Sequence, residues 1–132
     1  MSRQRREASD TVRGCIVTVC RGCCCGTRKH PDVDHTGQAR ELRAAVARGG
    51  RFRVTDCLDL CESSNVVVVS PSAAGRRAGG RPVWVGDVLH PEVVGAIVGW
   101  IAAGGPGTAQ RPAELDHHIL QPSRRVRAAA ER

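Results

Sequence analysis

Seven cysteines in a chain of 132 residues, most of them in two tight groups, constrain this sequence more than any other feature. The first group is Cys20-Arg21-Gly22-Cys23-Cys24-Cys25 and the second is Cys57-Leu58-Asp59-Leu60-Cys61. Each abuts an apolar run. Cys15-Ile16-Val17-Thr18-Val19 leads into the first group, and Val66-Val67-Val68-Val69 follows the second. Such β-branched runs read as strands. Four consecutive valines further imply burial on both faces, hence a strand inside the sheet. If the flanking strands are neighbours, the two groups meet at one sheet edge, where four thiolates can surround one metal centre.

The rest of the chain restricts the chemistry open to these thiols. No apolar run approaches the roughly 20 residues needed to span a bilayer. Residues 1–13 are polar and charged, with no apolar segment behind them, so no secretory signal is read and the protein is expected to be cytosolic. A reducing compartment disfavours structural disulfides, and an odd number of cysteines resists complete pairing. Clustered cysteines there point to metal or redox chemistry. The net charge is +7, yet the basic residues are scattered, Lys29 is the sole lysine, and aromatic residues make up only 2%. A nucleic-acid binder shows its basic residues clustered on one element, so the charge does not indicate nucleic acid.

Hydrophobic periodicity places the elements. After a disordered lead over 1–13, the first strand covers 15–19 and a polar loop follows to Val33. A helix is predicted over about 35–48, capped by Asp34 or Thr36, with Ala39, Leu42, Ala45 and Val46 on one face. Gly49-Gly50 ends it. Alternation over 51–55 gives a second strand with Phe52 and Val54 on one face, and 66–69 is the third. Residues 70–80 read as a loose loop. Pro82-Val83-Trp84-Val85-Gly86 is a fourth strand whose leading proline suits an edge or a strand start. A last helix begins at Pro91, with Val93, Val94, Ile97, Val98, Trp100 and Ile101 forming a broad apolar face, and Gly104-Gly105-Pro106-Gly107 stops it. The folded domain is therefore expected over 14–104. Residues 105–132 read as a disordered tail, with 113–120 its one candidate helical stretch. The order is β-α-β-β-β-α, a small α/β sandwich of the thioredoxin type, its first connection having the length of a βαβ crossover.

An iron–sulfur cluster of the 2Fe-2S kind takes four thiolates. Cys57 and Cys61 form the downstream pair and Cys20 is the first upstream ligand. The second upstream ligand is open among Cys23, Cys24 and Cys25. Two other chemistries compete. Cys20-Arg21-Gly22-Cys23 is also the C-x-x-C of a thiol–disulfide oxidoreductase, but that function needs a helix starting at the motif to lower a thiol pKa, and Gly26 and Pro31 delay the helix. A structural zinc site uses two short cysteine knuckles, though zinc mostly supports chains too small for a core. Cys15, inside a strand, reads as a small buried hydrophobe. His30 and His35 flank the ligand loop as hydrogen-bond donors or as loop and helix-start residues, and His30 stays open as a ligand. His90 reads as a cap or turn residue, and His117-His118 as solvated. Asp59 and Glu62 fall at the rim of the site.

The pattern resembles the thioredoxin-like 2Fe-2S ferredoxin family, which includes shethna-type ferredoxins and the small 2Fe-2S subunit of complex I. The matching residues are Val19-Cys20, Cys25-Gly26, Cys57-Leu58-Asp59-Leu60-Cys61-Glu62, the valines of 66–69, and Pro82-Val83-Trp84-Val85 leading into the last helix. They span residues 15–104, and the 26–33 loop is longer than in the complex I subunits. The resemblance implies Cys20, Cys25, Cys57 and Cys61 as ligands of one 2Fe-2S cluster, with Cys24 the substitute for Cys25. It implies one-electron transfer without substrate chemistry, a redox protein as partner, and in some relatives a homodimer. The positive charge of this chain suggests an acidic partner.

Overall fold

The structure, a computed structural model, describes residues 14–21, 30–47, 49–55 and 63–131. The elements are β1 (Ile16–Cys20), α1 (His35–Ala45), β2 (Arg51–Thr55), β3 (Val67–Ser70), α2 (Ala73–Arg77), β4 (Val83–Val85), α3 (Pro91–Ala102), a 3-10 helix (Ala113–His118), β5 (Ile119–Leu120) and α4 (Arg124–Glu131). The strands form one sheet in the order β2-β1-β3-β4-β5. β1 runs parallel to β2, and β1–β3, β3–β4 and β4–β5 are antiparallel. The α/β order expected from the sequence is present, and the fold is thioredoxin-like.

Period-two alternation sorts the sheet into two faces. Val17, Val19, Val67, Val69 and Val85 point to one side and pack against Leu42, Val46, Val94, Ile97 and Trp100 of the helical layer. Each buried valine contributes about 1.5 kcal/mol or more, so this strip holds α1 and α3 on the sheet. The other face carries Cys20, Val66, Val68 and Trp84, against which Leu120 and Val126 rest. The helix ends follow their local chemistry. Asp34 Oδ1 accepts from the Gly37 amide at 2.9 Å and caps α1. Pro91 opens α3 at a position where no amide is needed. Phe52, on the outer strand β2, lies under the Arg43 guanidinium at 5.0 Å.

Three segments depart from the sequence reading. The 70–80 stretch contains α2, started by Ser72, whose Oγ accepts from the Gly75 amide at 3.0 Å. Its Ala, Gly and Arg composition masks a helix that rests on one cap. The stretch assigned to a tail after residue 104 instead builds the sheet edge. Leu115 is fully buried in the helical layer, and β5 pairs with β4 through Trp84↔Leu120 and Val85↔Ile119. β4 is therefore interior, and Pro82 marks a strand start. Consequently His118 is not a solvated tail residue, for its Nδ1 is hydrogen-bonded to the Gly86 carbonyl at 3.0 Å. One short pairing and one apolar anchor leave too little periodicity to read. The expected lead over 1–13 lies outside the described residues.

The turn after α3 shows why its glycines matter. Gly105 has φ +72°, and a Cβ there would overlap Cys15 Sγ. Gly105→Ala is expected to cost about 2–4 kcal/mol, since it adds left-handed strain to a clash in a packed core. Urea unfolding checks this, and a loss below about 0.5 kcal/mol would rule the clash out.

Candidate metal centre

The end of β1 fixes the site. Cys20 pairs with Thr55, the last residue of β2. The Cys20 amide donates to the Val66 carbonyl at 3.1 Å, and the Arg21 amide donates to the Thr55 carbonyl at 2.8 Å. Thus the strand that enters the first cysteine group, the strand that enters the second, and the strand that leaves the second lie side by side at one edge. Adjacent strands lie about 4.8 Å apart, so the end of β2, two positions before Cys57 in the sequence, stands beside Cys20.

Of the proposed ligands, Cys20 lies among the described residues. Cys25, its substitute Cys24, and Cys57 and Cys61 lie outside them, as do Cys23, Asp59 and Glu62. Cys20 is 3% exposed and sits with Val66, Val68, Trp84, Leu120 and Val126, an apolar shell that dries its side of the site. No group of three or more metal-ligating side chains occurs among the described residues alone.

Cys15 belongs elsewhere. It is buried at the far end of β1, about 16 Å along the strand from Cys20. Its Sγ meets the Gly104 carbonyl at 3.5 Å, and burial pushes its thiol up from the ordinary value. Cys15 is a core residue, as its sequence context indicates.

A buried polar network stands behind the site and ties together the two segments returning from the cysteine groups. His30 Nε2 and Ser64 Oγ are hydrogen-bonded at 3.0 Å. Asn65 Nδ2 reaches His35 Nδ1 at 2.9 Å and Gln38 Oε1 at 3.4 Å. An amide nitrogen only donates, so Nδ1 of His35 accepts and Nε2 carries the proton. That Nε2 donates to the His30 carbonyl at 3.1 Å. Gln38 Nε2 donates to the Val88 carbonyl at 2.9 Å, and the Val88 amide donates back to Asn65 at 3.0 Å. The Arg21 guanidinium bridges the Cys20 carbonyl at 2.8 Å and the His35 carbonyl at 3.3 Å, joining β1 to the start of α1.

His30 and His35 accordingly act as hydrogen-bonding groups at the loop end and the helix start. His90 occupies the N-cap of α3 without a side-chain cap bond. The sequence reading missed Gln38, Ser64 and Asn65. Gln38 falls four residues before Leu42 on the buried stripe of α1, and Ser64-Asn65 directly precedes a fully buried strand. Polar residues at such positions are the available signal, because they are kept only when hydrogen-bonded.

A five-stranded mixed sheet with α1 and α3 on one face, and β1 between β2 and the valine strand β3, defines a thioredoxin-like architecture. The chain is similar in structure to a thioredoxin-like [2Fe-2S] ferredoxin from Aquifex aeolicus, with a TM-score of 0.52 and 21% identity over 83% of this chain and 92% of that one. A second structure of the wild-type ferredoxin from the same organism gives a TM-score of 0.47 and 24% identity, covering 83% of this chain and 99% of that one. No family model matches the sequence. No curated protein matches it significantly. Among the described residues, no helix is long and apolar enough to cross a membrane.

Proposed function

We propose that the protein is a one-electron carrier, not itself an enzyme, in which Cys20, Cys25, Cys57 and Cys61 hold one 2Fe-2S cluster. The observation that carries this reading is the pairing of Cys20 with Thr55 and its amide bond to Val66, which brings Cys20 and the residues flanking the second cysteine group in sequence to one sheet edge. The fold it shares with a [2Fe-2S] ferredoxin supports it. When bound, such a cluster takes up and returns one electron. The chain's part is to supply thiolates, to fix their spacing through the sheet and the Asn65 network, and to keep water from the Cys20 side. Reductive titration tests this. The protein should accept one electron per chain, whereas uptake of two with appearance of two thiols would indicate the Cys20/Cys23 oxidoreductase, since a disulfide is a two-electron couple.

Cys15→Ser is expected to leave the visible spectrum unchanged, because Cys15 lies at the opposite end of β1. A changed spectrum in a folded variant would place Cys15 among the ligands.

The partner is proposed to be an acidic redox protein that docks at the cysteine edge, in keeping with the net charge of +7. Val54, 57% exposed on β2 and three residues before Cys57, offers the apolar contact there. Electron exchange with such a partner should slow as salt is raised, and a salt-independent rate would remove the electrostatic part of the account.

A further inference from the structure

The face of the sheet opposite α1 and α3 is only partly covered. α4 and Leu120 rest on its Cys20 end, and the remainder is a groove of about 360 Å³ running from Arg53 on β2 across β1 and β3 to Trp84 on β4, with Arg76 of α2 also lining it. That volume falls within the range of about 300–1,000 Å³ usual for small-molecule sites.

Its polar lining is made of donors. Among the described residues no acidic side chain lines it, and neither Arg53 nor Arg76 has an ion-pair partner. Trp84 is 3% exposed and Thr18 is 5% exposed, yet neither the indole N–H nor the hydroxyl is hydrogen-bonded within the described protein. No fully buried side-chain nitrogen or oxygen among the described residues lacks a partner, so both groups keep some solvent access, and both residues line the groove. Ser70 adds a second hydroxyl, and Val68 with the Trp84 ring supplies an apolar floor. Trp100 is the contrast, because its indole N–H on the helical side is bonded to the Ala109 carbonyl at 3.0 Å.

Two unpaired guanidinium groups, two hydroxyls and a waiting indole N–H call for a ligand rich in acceptor oxygens and negatively charged. The apolar Val68 and Trp84 in its lining call for an apolar group beside that charge. Arginine forks and phosphate oxygens match in geometry and charge. We propose that this groove binds a small organic phosphate of mononucleotide size. The groove shares Val68 and Trp84 with the apolar shell of Cys20, but none of the proposed ligands lines it among the described residues.

The test is calorimetric titration of the full chain, as purified, with AMP, inorganic phosphate and adenosine at constant ionic strength, alongside the two tryptophan indole resonances in a ¹⁵N–¹H spectrum. AMP should bind saturably, adenosine much more weakly, and the Trp84 resonance should move while that of Trp100 stays. R53Q and R76Q, both at exposed positions, should each weaken AMP by about tenfold, whereas R111Q, which removes a guanidinium paired with Asp116 outside the groove, should not. Absence of saturable AMP binding overturns the proposal. So does binding that leaves the Trp84 resonance still, binding indifferent to R53Q and R76Q, or adenosine binding as tightly as AMP.

Discussion

Replacing Cys57 or Cys61 by serine is expected to give a folded chain that no longer assembles its normal iron–sulfur centre. A serine alkoxide is a far poorer ligand for iron than a thiolate, and the described pairings of β1 with β2 and β3 involve neither cysteine. Fold and metal centre can therefore be read separately, by far-ultraviolet circular dichroism and by visible absorption. Cys20→Ser should lose the centre too, with an additional stability cost, because the new hydroxyl would sit 3% exposed among Val66, Val68 and Trp84. A full-strength native spectrum in Cys61→Ser would contradict the ligand assignment.

Asn65→Ala is expected to lower stability by about 2–4 kcal/mol. Asn65 is fully buried, and its amide serves His35 Nδ1 and Gln38 Oε1. Truncation leaves two acceptors without their donor in a dry interior, each at a cost of about 1–3 kcal/mol, partly relieved by relaxation. The same change frees the start of β3 from the start of α1, so cluster retention during slow oxygen exposure should also shorten. Urea unfolding measures the first effect. A loss under about 0.5 kcal/mol would show that the network does not hold these segments. Asn65→Asp should be at least as damaging at neutral pH, because it replaces the donor by an acceptor facing two acceptors.

The parts of the fold that were legible are those where one face is buried along a whole element. The valine strand and the apolar face of α3 repeat a period long enough to read and are buried as expected, while the Arg51–Thr55 strand forms with Phe52 packed on the core but leaves Val54 57% exposed. The parallel pairing of β1 with β2 follows from the helical crossover between them. What could not be read has a common cause. α2 depends on one cap and β5 on two residues, whereas the helical stretch expected within 113–120 is present as the 3-10 helix. The polar network escapes sequence patterning for a related reason. Ser64, Asn65 and Gln38 look like solvent-facing residues until their partners, brought in from three different segments, are known. At the site itself, the sheet confirms where Cys20 stands, and the remaining ligands are proposed from the spacing of their segments.

Absorption spectroscopy combined with iron and acid-labile sulfide analysis, on protein purified without oxygen, bears most directly on the central claim. The account predicts a red-brown protein with two irons and two sulfides per chain, the composition of one cluster held by four thiolates. A colourless protein holding zinc, or one that takes up neither iron nor sulfide when reconstitution is attempted, would contradict it.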